Sequence, residues 1–236
     1  MSTSRPDAPV AIVTGASRGL GLALARELAT RGWRLVIDAR GGEALERARA
    51  ELAARTTVDA LVGDVTNPRH RAALVTAAGD RVDLLVNNAS RLGPSPQPAL
   101  QHYPLDELER VYATNVLAPL ALAQLAVPLM GEGAMVLNVT SDAAIEVYEG
   151  WGGYGSSKAA LEQLTRILAV EQPQLRVHAV DPGDMNTQMH QEAFPGEDLS
   201  DRPPPADSVP GLIALIEGDH ASGRWQASRL APAVEA

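Results

Sequence analysis

An apolar run, Val10–Thr14, passes straight into Thr14-Gly15-Ala16-Ser17-Arg18-Gly19-Leu20-Gly21, and the amphipathic pattern of Leu20–Arg31 follows at once. A strand that turns through glycine into a helix fixes the first β–α unit of an α/β fold. Glycine at 15 permits the tight turn, and glycines at 19 and 21 permit close approach of a pyrophosphate and of helix to strand. The helix N-terminus then faces the phosphates with its free amides. Glycines also mark plain turns, so it is the strand before and the helix after that point to a dinucleotide site.

The rest of the chain repeats this alternation. Apolar runs at Arg34–Ala39, Val58–Val62, Val82–Asn87, Ala134–Thr140, Arg176–Val180 and Gly223–Gln226 read as strands. Between them Glu43–Ala54, Arg69–Ala78, Leu105–Met130, Tyr154–Glu171 and Ser208–Glu217 read as helices. Continuously apolar strands alternating with helices imply a parallel sheet covered on both faces. The expected fold class is α/β, a single-domain, doubly wound, Rossmann-type parallel sheet of about seven strands. One domain spans residues 1–236, with 184–207 as a substrate loop and 228–236 as a loose tail. The segment 184–207 is rich in proline and acidic residues and too long for a simple connector, which suggests a lid.

Composition removes several classes. Net charge is −9 and no basic run occurs, which argues against a nucleic-acid partner. With no cysteine, thiol catalysis, disulfides and thiolate metal sites are excluded. The five histidines, at 70, 102, 178, 190 and 220, form no ligand pair at helical spacing, so no metal is expected. Met1–Asp7 lacks the apolar core of a signal peptide, and Leu117–Met130 is too short to span a bilayer and holds two prolines. A cytoplasmic protein with no membrane partner is the expectation, and the arginine, alanine and proline bias fits a GC-rich bacterial source.

Lys158 is the only lysine in the chain and stands four residues after Tyr154. On a helix this spacing puts both side chains on one face, with Cβ atoms about 5–6 Å apart. An ammonium beside a phenol favours the phenolate and lowers the tyrosine pKa, which makes a usable acid/base. A helix-surface pair is the plain alternative. Arginine supplies every other basic side chain, so a lysine here suggests a compact point charge that a guanidinium cannot replace.

The glycine spacing, Asn87-Asn88-Ala89 after the fourth strand, Ser141 thirteen residues before Tyr154, the Tyr154–Lys158 pair, and Pro182-Gly183 after the sixth strand together resemble the short-chain dehydrogenase/reductase family. The resemblance covers residue 10 to about residue 187. It implies Tyr154 as proton donor to a carbonyl or base toward an alcohol, and Lys158 as the group that binds ribose hydroxyls and depresses the tyrosine pKa. It further implies Ser141 as the polariser of the carbonyl and Asn115 as the holder of a water that links the lysine to solvent. The implied cofactor contacts are Gly15, Ser17, Arg18, Gly19, Leu20, Arg40, Asp64, Val65, Asn88, Ala89, Tyr154, Lys158, Pro182, Gly183 and Thr187. Asp64 would bond the adenine amino group, and Thr187 the carboxamide or a phosphate.

Cofactor preference turns on Val36-Ile37-Asp38-Ala39-Arg40. Asp38 is the tempting ribose ligand for NAD, but in NAD-using relatives the acidic residue falls one position later, at Ala39. Arg40 then resembles the arginine that pairs with the 2′-phosphate, with Arg18 as a second cation, which implies NADP(H) rather than NAD(H). Two positions depart from the family pattern. Ser90 stands where glycine is usual, which requires a backbone free of positive φ. Asp142 follows Ser141 where a small neutral residue is usual, and reads as a solvated rim charge in preference to a substrate selector.

Tyr148, Trp151 and Phe194 are expected to face the substrate, which suggests a small apolar or planar carbonyl compound or alcohol. A reductase is the leading reading; an NADP-binding redox sensor, or a dehydratase or cyclase on the same fold, is the alternative. Apolar surface on the helix through Leu117–Ala126 and on the Tyr154 helix predicts a homodimer or homotetramer.

Overall fold

The computed structural model describes residues 8–230. Seven strands form one sheet: β1 (Val10–Val13), β2 (Arg34–Ala39), β3 (Val58–Val62), β4 (Leu84–Asn87), β5 (Met135–Val139), β6 (Arg176–Asp181) and β7 (Gly223–Gln226). Their order is β3-β2-β1-β4-β5-β6-β7, and every neighbouring pair is parallel. The order reverses between β1 and β4, the switch point at which ligands bind in open α/β sheets. Strands β1, β4 and β5 are buried along their whole length, as parallel strands covered on both faces must be.

The helices are α1 (Gly19–Thr30), α2 (Gly42–Leu52), α3 (Pro68–Ala78), α4 (Leu105–Tyr112), α5 (Ala118–Ala126), α6 (Gly152–Glu171), α7 (Gln188–Ala193), α8 (Val209–Glu217) and α9 (Ala227–Leu230). Two apolar layers sandwich the sheet. One places Leu24, Leu28, Leu45, Leu52, Leu212 and Leu215 against alternate strand residues such as Val13 and Val86. The other places Leu74, Leu122 and Ala126 against Ile12, Leu85 and Val136. Complete burial of a leucine-sized side chain contributes about 1.5–3 kcal/mol, so these layers hold the helices on both faces of the sheet.

The structure revises four expectations. The run expected as one helix over Leu105–Met130 is continuous in path but not in type: a π-helical turn, Ala113–Leu117, joins α4 to α5, and a 3₁₀ turn ends it at Val127–Leu129. Pro119 does not break it, because Pro119 lies in the first turn of α5. The whole of Leu105–Leu129 is long and apolar enough, by length and composition, to cross a membrane; the sequence reading counted only Leu117–Met130. Here it packs on the sheet through Leu122 and Ala126.

The segment 184–207 is not a plain loop. It carries α7, whose amino terminus is capped where Thr187 Oγ1 accepts from His190 N at 3.1 Å. Within the supposed tail, 228–230 belong to α9, which packs on α8 so closely that a Cβ on Gly211 would meet the Ala227 carbonyl oxygen at 2.0 Å. The remainder of that tail, 231–236, and the expected leaderless terminus, Met1–Asp7, lie outside the described residues.

Candidate active site

Apart from Tyr154 and Lys158, which lie on α6, the implied cofactor contacts fall after the carboxyl ends of strands or at the start of the helix that follows. Gly15, Ser17, Arg18, Gly19 and Leu20 follow β1, Arg40 follows β2, Asp64 and Val65 follow β3, Asn88 and Ala89 follow β4, and Pro182, Gly183 and Thr187 follow β6. They therefore converge along one edge of the sheet. Gly15 and Gly19 have φ of 66° and 57°, in the left-handed region. A Cβ on Gly21 would meet Asn88 Nδ2 at 2.5 Å and Gly15 O at 2.6 Å, so α1 could not seat on the turn with any side chain there. At Gly19 the only neighbour of such a Cβ would be Thr187 Cγ2, at 3.9 Å. The space between the turn and Thr187 lies in front of the α1 amides, with no acidic side chain in the first turn of that helix. Such a cradle fits a pyrophosphate.

Asp38 is fully enclosed and engaged within the protein. Its Oδ1 accepts from Gly15 N at 2.7 Å and its Oδ2 bonds His70 Nε2 at 2.8 Å. A carboxylate so engaged is withdrawn from a ribose and serves to fix the turn. His70 on α3 is thus a residue of the site that the sequence reading passed over. Gly63 makes room for it, since a Cβ there would lie 2.3 Å from His70 Nδ1. Arg40 is exposed at the end of β2. Arg18, also exposed, donates to Gln188 Oε1 on α7, which bridges the turn to the 184–207 segment. At Asp64, burial works to raise the carboxyl, but donors from Thr66 and the charges of Arg40 and His70 outweigh it and hold the pKa below the usual range. Both Thr66 donors go to Oδ1, at 2.8 Å, and neither engages Oδ2.

Asn88 braces the site from behind. Its Nδ2 donates to Thr14 O at 2.8 Å and Gly15 O at 3.2 Å, and Thr14 Oγ1 accepts from the amides of Asn88 and Ala89. Ser90 is accommodated because, among the described residues, no residue other than glycine has positive φ. Its hydroxyl donates to Asn115 Oδ1 at 3.2 Å.

Asn115 sits in the π turn, fully buried, with its side chain bonded within the protein. Its Oδ1 also accepts from Arg91 N at 2.8 Å, while Nδ2 donates to Arg91 O and Ser157 Oγ, both at 2.9 Å. These bonds tie the 90–91 loop to α6 and leave the side chain little capacity for a water.

Tyr154, Lys158 and Ser141 are brought together. A Cβ on Gly155 would lie 2.6 Å from Ala143 O, so only glycine lets α6 pack against the turn that carries Ser141. Lys158 is 2% exposed, its Nζ donates to Val139 O at 2.8 Å, and it lies 5.5 Å from the centre of the Tyr154 ring. Burial lowers the Lys158 pKa to about 8. Burial also pushes the Tyr154 phenol up to about 12, against the downward pull of the Ser90 and Ser141 hydroxyls. The expected depression of the tyrosine pKa is therefore not achieved by the protein's own groups. Desolvation outweighs it, and the phenol keeps its proton at neutral pH.

Asp142 is not a solvated rim charge. Its Oδ1 accepts from Ser141 Oγ and Ala143 N, and its Oδ2 from Tyr148 OH, all at 2.8 Å. Burial works to raise this carboxyl, yet the three donors hold it below the usual carboxylate range. Behind Ser141, Arg224 donates to Glu162 Oε1 at 2.9 Å, Asp181 Oδ2 at 3.1 Å and Ser141 O at 3.3 Å. Thr140 Oγ1 donates to the same Glu162 oxygen at 2.8 Å. This network joins the ends of β5, β6 and β7 to α6.

The expected aromatic wall also assembles. Trp151 is the hub, with ring centroids 6.1 Å from Tyr148, 5.8 Å from Tyr154 and 5.8 Å from Phe194. Met189 and Ala193 of α7 pack beside Tyr154 and Leu92, whereas Met185 packs against the main core.

Comparison with known proteins agrees with this geometry. The sequence profile of the short chain dehydrogenase family matches residues 9–198. A rhamnolipids biosynthesis 3-oxoacyl-[acyl-carrier-protein] reductase from Pseudomonas aeruginosa is 35% identical over 76% of this chain and 74% of its own. Sepiapterin reductase from Rattus norvegicus is 32% identical over 82% and 80%. Among solved structures, a short chain dehydrogenase from Shigella flexneri complexed with NADP superposes with a TM-score of 0.86 at 27% identity, covering 93% of this chain and 97% of that one. One from Escherichia coli complexed with NADPH gives 0.85 at 27% identity, covering 93% and 96%. From its sheet order, its glycine turn and these matches, the chain belongs to the short-chain dehydrogenase/reductase family of oxidoreductases.

Proposed function

We propose that the chain is a single-domain, cytoplasmic, NADPH-dependent reductase of a small carbonyl compound. The observation that carries this reading is the meeting of Tyr154, Ser141 and Lys158, in a chain whose glycine turn lies, like Ser141, after the carboxyl end of a strand. The NADP and NADPH complexes of similar structures support the cofactor, as does the withdrawal of Asp38 into the turn, which leaves Arg40 as the charged group at the end of β2.

NADPH, when bound, supplies the hydride that reaches the carbonyl carbon. The chain's own residues handle the oxygen. Tyr154 holds the proton that the oxygen takes up as the carbonyl becomes an alcohol, and a phenol kept protonated by burial is poised for that direction. Ser141 orients the oxygen. Lys158, on the same helix face as Tyr154, would bind ribose hydroxyls and offset negative charge on the phenolate left behind. Trp151, Tyr148 and Phe194 exclude water and suit a planar or apolar body.

A homo-oligomer belongs to the same reading. Leu117 and Leu125 at α5, and Ile167 and Val170 on α6, are exposed, Val170 by 81%. These helices flank one groove lined by Leu120, Leu164 and Leu168. Apolar surface of this kind suits a second copy of the chain.

Loss of NADPH absorbance across a panel of ketones, quinones and aldehydes tests the proposal. Alcohol formed in equal amount to NADPH consumed is the expected result. Product formed without net NADPH consumption would favour a non-redox reaction on this fold.

A further inference from the structure

The hydrogen bond between Ser141 and Asp142 has only one possible direction. An ionised carboxylate accepts and cannot donate, so the Ser141 hydroxyl hydrogen points at Asp142 Oδ1. The hydroxyl expected to polarise a carbonyl lies within reach of Tyr154, but its one hydrogen is held by Asp142. A plain ketone must draw that hydrogen off a charge-assisted bond before Ser141 can serve its oxygen. A substrate that brings its own charged donor to Asp142 neutralises the carboxylate, weakens its hold on that hydrogen and frees the serine.

The surroundings favour such a donor, and a charged one most of all. Asp142 accepts three hydrogen bonds, two at Oδ1 and one at Oδ2, and a carboxylate has about four such positions. The open position is on Oδ2, beside Tyr148. The aromatic wall centred on Trp151 begins at that same Tyr148 ring. Ring faces attract cations. Glu146 and Asp184 add negative potential at Tyr148. Among the described residues no lysine or arginine side chain bonds Asp142; the charge of Arg224 reaches it from behind Ser141, where Glu162, Asp181 and the Ser141 carbonyl hold the guanidinium.

We propose that Asp142 is the specificity-determining residue of the reductase, selecting carbonyl substrates that carry a hydrogen-bond donor, above all a protonated amine, on the carbon next to the carbonyl. The inference rests on the reductase reading given above. One hydrogen bond separates Asp142 from Ser141, so a donor one carbon from the carbonyl reaches the carboxylate while the carbonyl oxygen stays between Ser141 and Tyr154.

The test compares acetophenone, α-hydroxyacetophenone and α-aminoacetophenone with NADPH and the full chain, as wild type, Asp142→Asn and Asp142→Ala. Wild type is expected to prefer the amino ketone over acetophenone by about tenfold or more in kcat/KM, the usual range for a charge-assisted bond. Asp142→Ala should raise turnover of acetophenone and lower that of the amino ketone, so that the preference inverts. Asp142→Asn keeps an acceptor for the serine and should lose the amine preference alone. An equal fall with all three ketones would assign Asp142 a purely structural role and overturn the proposal, as would an unchanged preference in the alanine variant. If no ketone is reduced by any form, the reductase reading fails. Tryptophan-fluorescence titration with phenethylamine and propylbenzene then decides the Asp142 proposal by itself. Tighter binding of the amine to wild type, lost in Asp142→Ala, sustains it; equal binding in both forms overturns it.

Discussion

Lys158 Nζ donates to the main-chain carbonyl of Val139 at 2.8 Å, inside a shell that leaves the lysine almost no exposure. The chain holds one lysine and buries it, at a cost in stability. With a folded pKa of about 8 against 10.5 for a free side chain, the charge is penalised by about 3 kcal/mol wherever both states carry it, below pH 8. Between pH 8 and 10.5 the unfolded chain binds more protons at this group, so its contribution to stability rises with pH. Lys158→Met removes the penalty but leaves Val139 O without its donor, a loss of about 1–3 kcal/mol. The methionine variant should be inactive yet no less stable than wild type at pH 7. Its advantage should disappear by pH 10. Denaturant titrations at the two pH values check this, and a pH-independent difference between the proteins would contradict it.

Lys158→Arg keeps the charge and changes its shape. A planar guanidinium does not fit the enclosed position against Val139 O, and cannot place a point charge beside Tyr154. We expect kcat/KM for carbonyl reduction to fall about a hundredfold. Near-normal turnover would mean that any nearby cation suffices.

Asp38→Ala should weaken NADPH and NADH to the same degree. The carboxylate fixes Gly15 N and His70 and contacts neither ribose nor phosphate in this reading, so its loss loosens the turn that both cofactors share. Leaving the part-buried Gly15 N and the buried His70 ring without their partner should also destabilise the fold by about 1–3 kcal/mol. Cofactor affinities and unfolding midpoints measure both effects. A selective loss of NADH would return Asp38 to the ribose.

Arg40→Ala gives the converse pattern. The loss of a bidentate phosphate contact, about 1–3 kcal/mol, should raise KM for NADPH and leave NADH nearly unchanged. Steady-state kinetics with both cofactors check it.

Val170→Glu together with Leu125→Glu places charge on the exposed faces of α6 and α5. If these faces meet a second copy, light scattering should report an oligomer for wild type and smaller species for the double variant. A wild-type monomer at micromolar concentration would refute the assembly.

Most of the fold was readable because continuous apolar runs such as Leu84–Val86 have no alternative to a buried parallel strand. The Tyr154–Lys158 pair was readable for a similar reason, since helical spacing is local. What escaped depends on contacts between distant segments. His70 meets Asp38 from 32 positions away, and Arg224 reaches Ser141 O across 83. No pattern near either residue announces the partner. Asp142 escaped for another reason: adjacency to Ser141 was visible, but the rotamer that turns its carboxylate onto that serine and Tyr148 was not. The short helix α7 has fewer than two turns, and its apolar side is only the pair Met189 and Ala193, too little to set a helical period, so its threonine cap was the clearest sign.

The π turn at Ala113–Leu117 also acts as a phase shifter. An α-helix advances by about 100° per residue, and a π turn takes in one residue more than an α turn. The two halves of Leu105–Leu129 are therefore clocked against each other. Deleting any one residue within 113–117 would restore a regular helix while rolling α5 about its own axis. Leu122 and Ala126 would leave the sheet, and the outward face carrying Leu117 and Leu125 would turn with them. Insertions and deletions that surface loops absorb would here scramble sheet packing, the Asn115 brace and the oligomer face in one step. The length of this stretch is thus as constrained as its chemistry.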